Sequence, residues 1–148
     1  MINPMALIEF NTKEGPFTDA AVRRAISTAI DRQYMIDTIF FGYGKPATSA
    51  LSSNFSATGL HSVMPNYPAT GDVAAANKIL DDAGYAKDSN GVRMKAMFDL
   101  IPYGEDWKRG GQYLQQVLGE IGIQVELRYE DVPTWLKRIY HNYDFEMN

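Results

Sequence analysis

The 148-residue sequence contains no cysteine and only two histidines. The first absence excludes disulfide scaffolds, thiolate metal sites and cysteine nucleophiles. The second leaves His61 and His141 far apart in the chain, with no histidine within four residues of either, so neither has metal-ligand spacing. No GxSxG motif occurs, and with it the usual nucleophile elbow is missing. No apolar run approaches the roughly 18 residues of a membrane span. The opening "MINPMALIEFNT" lacks the basic and apolar regions of a signal peptide. A basic excess is missing too. The net charge of −4 and pI of about 5.1 give no electrostatic footprint for nucleic acid and argue against an anionic membrane surface.

What is present is ordinary for a globular chain: 45% hydrophobic and 22% charged residues. A single domain over residues 1–148 is expected, and a domain of about 150 residues buries roughly 68–70% of its unfolded surface. The chain starts almost at once in a strand-like segment and stops in another, "YDFEMN", as expected of a piece of something longer.

The hydrophobic pattern predicts alternating strands and helices. Met5 to Asn11 reads as a short buried strand. Thr18 or Asp19 caps a helix whose stripe is Val22, Ile26, Ala29 and Ile30. Asp31 caps a second run carrying Met35, Ile36, Ile39 and Phe40, closed by Gly42 and Gly44. Residues 45–71 have no period and form a long loop, of the kind that serves function or wraps a neighbour. Its Asn54-Phe55-Ser56 sequon is read as a chance match. Asp72 opens a helix with Ala76, Ile79, Leu80 and Ala83 on one side, closed by Gly84. Val92 to Leu100 alternates as a strand, and so does Ile123 to Tyr129. Between them lies a helix with Trp107, Leu114, Val117, Leu118 and Ile121. Its Gly110-Gly111 pair costs about 1 kcal/mol per glycine relative to alanine, which close packing would explain. Asp131 caps a last helix with Trp135, Leu136 and Ile139 facing inward, before a final strand from Tyr143 to Met147. The fold class is α/β, with a mixed, largely parallel sheet flanked by helices.

"FFGYGKPATSAL", residues 40–51, has the glycines and lysine of a phosphate loop but fails each test of one. Ile39 stands where the first glycine belongs, and Pro46 follows Lys45 where a hydroxyl belongs. The stretch also leaves a helix rather than opening one. Glu105 and Asp106 are adjacent carboxylates at a helix N-terminus, where acids complement the dipole. Tyr103 and Trp107 flank the loop beyond the C-terminal end of the clearest strand, where ligands bind in open α/β sheets. Trp107 also fits as the first core residue of its helix.

These residues carry a resemblance. "LIEFNTKEGPFTDAAVRRAISTAIDRQYMIDTIFFGYGKPATSAL", then "AAANKILDDAGY", "YLQQVLGEIGIQVELR" and "WLKRIYHNYDFEMN", resemble the extracellular solute-binding proteins of the oligopeptide, dipeptide and nickel type. Those are the binding components of ABC importers. The resemblance implies a non-catalytic role in one lobe of a type II periplasmic-binding-protein fold; no cofactor is expected, and the histidine spacing already argues against a metal site. It implies a chain amounting to most of the second lobe, the first being absent. The parent protein would be periplasmic or extracellular, closing two lobes on a peptide or other small solute and presenting the closed form to a membrane permease. It places "IPYGEDW" on the ligand-facing edge, making Pro102 and Tyr103 the leading ligand-binding residues, with Glu105, Asp106 and Trp107 beside them. Some dipeptide binders have an arginine before that Pro-Tyr; here it is Ile101.

Two other readings stay open on residues alone. One is a small α/β hydrolase or transferase using Glu105, Asp106 or His61. The other is an interaction domain whose contact surface is the 45–71 loop. A bare sheet edge left by truncation would also favour dimers.

Overall fold

Four aspartates fix where helices begin. In the computed structural model, which describes residues 5–52, 59 and 63–148, each accepts a backbone N–H two or three residues ahead. Asp19 takes Ala21 at 2.7 Å and opens α1 (Ala20–Ala29). Asp31 takes Tyr34 at 2.8 Å and opens α2 (Arg32–Tyr34), which widens into a π-helical turn over Met35–Ile39. Asp72 takes Ala75 at 2.8 Å and opens α3 (Val73–Asp82). Asp131 takes Thr134 at 2.8 Å and opens α5 (Val132–Leu136), which widens over Lys137–Asn142. Such a cap is worth roughly 1 kcal/mol. The remaining long helix, α4 (Glu105–Glu120), starts instead from Gly104, whose φ of 116° suits only glycine.

Strands β1 (Met94–Asp99) and β2 (Ile123–Arg128) run parallel, in register from Met94 opposite Ile123 to Asp99 opposite Arg128. With α4 between them they form a β–α–β unit. The core lies on one face of this unit. Phe17, Val22, Ile26, Leu80, Leu118, Ile121 and Ile123 are all fully buried there. Gly111 explains the glycine pair in α4. A Cβ on it would overlap both methyl groups of buried Leu100, so helix and strand end approach as closely as a bare backbone allows.

The two ends of the chain depart from the expected strands. Phe10 and Met147 form an antiparallel bridge, and Met147 forms a parallel one with Phe98. The ends are held by Glu9 N–H to Asn148, Asn11 N–H to Glu146 and Asp99 N–H to Met147, at 2.8–2.9 Å. Met147 therefore lies beside β1 and Phe10 beyond it, giving a mixed, mainly parallel arrangement. The rest of the expected terminal strands is not regular. Leu7 is exposed, and Tyr143 adopts φ 54°, ending α5 in the left-handed conformation. Two finer expectations also fail: Leu136 is 42% exposed rather than inward, and Ala83 is an exposed cap rather than part of the stripe.

The part of the loop directly ahead of α3, around Ala69, packs on this chain. Arg32 N–H reaches the Ala69 carbonyl at 2.8 Å, and Asp72 N–H reaches that of Thr28 at 2.9 Å. The sequon and His61 lie outside the described residues.

Candidate functional site

The C-terminal ends of β1 and β2 are pinned by charge. Asp99, 1% exposed, accepts from Arg128 Nε at 2.5 Å and from Nη2 at 2.8 Å. Arg138 of α5 stands 3.8 Å from the same carboxylate and pairs with Glu130 at 2.7 Å and Asp144 at 2.5 Å. Hydrogen bonding to Asp99 raises the pKa of Arg128, that to Glu130 raises Arg138, and that from Arg138 lowers Glu130. The sequence placed Asp99 on the polar face of β1. Both arginines face its carboxylate there, and its backbone N–H donates to the Met147 carbonyl.

Above this network the backbone leaves β1. Leu100 adds one further ladder bond, N–H to the Arg128 carbonyl at 3.0 Å. Ile101 and Pro102 are half-buried, Tyr103 is 57% exposed, and Gly104 turns into α4. A hollow of about 180 Å³ opens beside the turn, lined by Ile101, Pro102, Glu105, Lys108, Tyr129 and Glu130 among others. Lys108 sits over the Tyr129 ring, 5.8 Å from its centre, a cation–π contact.

The five predicted ligand residues divide. Pro102 and Glu105 line the hollow. Tyr103 faces Trp135 of α5, ring centres 6.1 Å apart. Trp107 is half-buried edge-on to Phe40 at 5.7 Å and serves packing. Glu105 and Asp106 face their own helix's cations, Lys108 at 3.8 Å and Arg109 at 4.0 Å, all of them well exposed. Surface pairs of this kind contribute little.

Sequence reasoning passed over Trp135. It is 3% exposed and lies between Tyr103 and Tyr140, the latter at 5.5 Å with an interplanar angle of 83°. Its Nε1 is the one buried side-chain nitrogen or oxygen among the described residues without a hydrogen-bond partner. An unmade bond on a buried donor costs about 1–3 kcal/mol. His141 is exposed beside Asn142, and no cluster of three or more potential metal ligands exists among the described residues. No described helix is long and apolar enough to cross a membrane.

Comparison with known proteins decides the family. The model "Bacterial extracellular solute-binding proteins, family 5 Middle" matches residues 3–148. The chain belongs to the family 5 extracellular solute-binding proteins. It is 39% identical over 121 residues to protein XP55 of Streptomyces lividans, covering 79% of this chain and 21% of that protein. It is 27% identical over 124 residues to the glutathione-binding protein GsiB of Salmonella choleraesuis, covering 84% of this chain and 22% of that one. The structure of NikA from Brucella suis in complex with Fe(III)-EDTA superposes with a TM-score of 0.78 at 30% identity, over 95% of this chain and 28% of NikA. The chain therefore spans between a fifth and three tenths of the length of these relatives.

Membership of family 5 bears out the resemblance read from "FNTKEGPFTDAAVRRAISTAIDR" and the segments after it. It also bears out the α/β periplasmic-binding-protein fold. Family 5 consists of non-catalytic solute binders, so the hydrolase or transferase reading falls.

Proposed function

We propose that this chain is one wall of a cleft in an ABC-importer substrate-binding protein, presenting to the bound solute the turn from Ile101 to Gly104 and Glu105 at the start of α4. It corresponds to most of the second lobe, and the first lobe of the parent protein supplies the facing wall. The observation that carries this is Tyr103: a large aromatic more than half exposed, on a turn beyond the C-terminal end of a parallel strand. A side chain of that kind gains from being covered, and closure of a facing lobe would cover it. Pro102 stiffens the turn, Glu105 and Lys108 rim the hollow, and Asp106 and Trp107 hold the start of α4.

The solute class that fits is a peptide or a similarly sized polar molecule, since GsiB binds glutathione and a di/tripeptide-binding protein of Pseudomonas aeruginosa also matches this chain. The parent acts outside the cytoplasm and hands its solute to a membrane permease. Half a cleft binds weakly: losing 4 kcal/mol of contact energy weakens affinity about a thousandfold. A dimer through a strand edge would use the outer edge of β2, where it would have to displace the Gln115 amide from the Val125 carbonyl.

The test is native mass spectrometry of the full-length parent purified without denaturation. A retained small solute is expected, lost in Tyr103→Ala. Retention unchanged in that variant would remove the loop from the site.

A further inference from the structure

We propose that the indole N–H of Trp135 is held for an uncharged carbonyl oxygen on the solute, which it meets between Tyr103 and Tyr140. The idea rests on the proposed function and adds to it a donor and the chemistry of its acceptor.

Trp135 has an interior position but an unfinished hydrogen bond. Its ring is 3% exposed, and its Nε1 finds no acceptor among the described residues. With Tyr103 and Tyr140 in place the atom is closed to a water-sized sphere, so any acceptor reaches it only when one of those rings turns aside. Buried polar groups are as a rule paired, and a lone exception calls for a reason. Here the surroundings supply one. Tyr103 and Tyr140, packed against the indole at 6.1 and 5.5 Å, are 57% and 53% exposed, so neither cover is locked into the core. Tyr103 sits directly before Gly104, whose φ of 116° is one that only glycine adopts readily. The indole stays put: α5 is capped by Asp131 and tied down by Arg138 to Glu130 and Asp144. A fixed donor beneath two half-exposed rings is placed to orient a small polar ligand once a ring turns aside.

The charges nearby select the acceptor. Glu9 acts on Tyr140 and holds Asn148 at 2.9 Å, while Glu105 and Glu130 line the hollow on the other side of the turn. The cations there are engaged, Arg138 by Glu130 and Asp144 and Lys108 by Tyr129 and Glu105. A carboxylate would enter against this acidic rim, whereas an amide carbonyl accepts a neutral N–H without opposing charge. A peptide backbone carbonyl, with its flat amide between two tyrosine rings, satisfies both demands.

The experiment uses the full-length parent and an equimolar pool of tripeptides with uncharged side chains, read by native mass spectrometry. Trp135→Phe keeps a ring in place and removes the N–H alone. The wild type should retain at least one pool member, and W135F should bind it about tenfold more weakly, with a melting temperature no lower than wild type. Equal binding by W135F overturns the proposal, including the case where W135F melts lower because the N–H serves another segment of the parent. A wild type that retains nothing sinks the peptide-binding reading itself. Should W135F fail to fold, the retained peptide is titrated into ¹⁵N-indole-labelled wild type. A displaced, slower-exchanging Trp135 Nε1–H signal supports the proposal, and an unmoved one overturns it.

Discussion

Arg128 grips Asp99 with two parallel hydrogen bonds, joining the last residues of β1 and β2 directly across the register. Both carboxylate oxygens are engaged, and Arg138 at 3.8 Å is the next cation. Such a fork fixes geometry more than it adds stability, because burying the charges offsets most of their attraction. Breaking it from one side is another matter. Arg128→Met leaves a carboxylate that is 1% exposed with one distant cation and should lower unfolding stability by about 3 kcal/mol. The double variant Arg128→Met/Asp99→Asn should recover part of that loss, as urea denaturation of all three proteins would show.

Acid should destabilise the fold through specific carboxylates. Arg138 lowers the pKa of Glu130 below its ordinary 4.5, and the cap bonds from Ala21 and Thr134 lower Asp19 and Asp131 below 3.8. A depressed folded-state pKa means the unfolded chain binds more protons, so stability rises with pH across that window. The contribution is complete above the ordinary values and is lost as pH falls through the folded ones. Melting temperature should therefore drop as pH falls below 4.5, and Glu130→Gln should flatten the first part of that decline.

Gly111 and Gly119 lie on the same helix and should respond oppositely to alanine. At Gly111 the new methyl overlaps Leu100, and overpacking of this kind costs about 1–3 kcal/mol, more than the gain in helix propensity. At Gly119 nothing lies within 4 Å, and the substitution should stabilise by about 0.4–1 kcal/mol. Thermal melts of the two variants check the pair.

Trp107 and Tyr103 should separate packing from binding. Trp107→Ala removes the edge contact with Phe40 and should lower stability by about 1–3 kcal/mol with little effect on the parent's solute affinity. Tyr103→Ala should do the reverse. Calorimetric melts beside binding titrations would show it, and equal effects on both measures for both variants would contradict the division.

Helix starts were legible because they are local. Asp19, Asp31, Asp72 and Asp131 each cap through atoms no more than three residues away, and a short pattern carries that information. The strand alternations of β1 and β2 were legible for the same reason. The chain ends were not. Phe10 finds its partner in Met147 at the other end of the sequence, so apolar character there gave no sign that pairing would be limited to a bridge. At the site, Tyr103 could be picked out by its place after a strand. Trp135 could not, because its spacing with Ile139 is that of any core stripe. Its missing acceptor exists only once Tyr103 and Tyr140 are seen around it.

Gln115 of α4 reaches over and donates its side-chain amide to the Val125 carbonyl at 2.8 Å. The carbonyls of Gly122 and Arg128 point at β1, so by alternation that of Val125 points outward, along the flank where another strand would dock. A strand docking there would have to displace the Gln115 amide first. Gln115→Ala should leave folding intact and raise light scattering at high concentration. A single amide so placed guards an edge that the register of β1 and β2 leaves, among the described residues, without a strand.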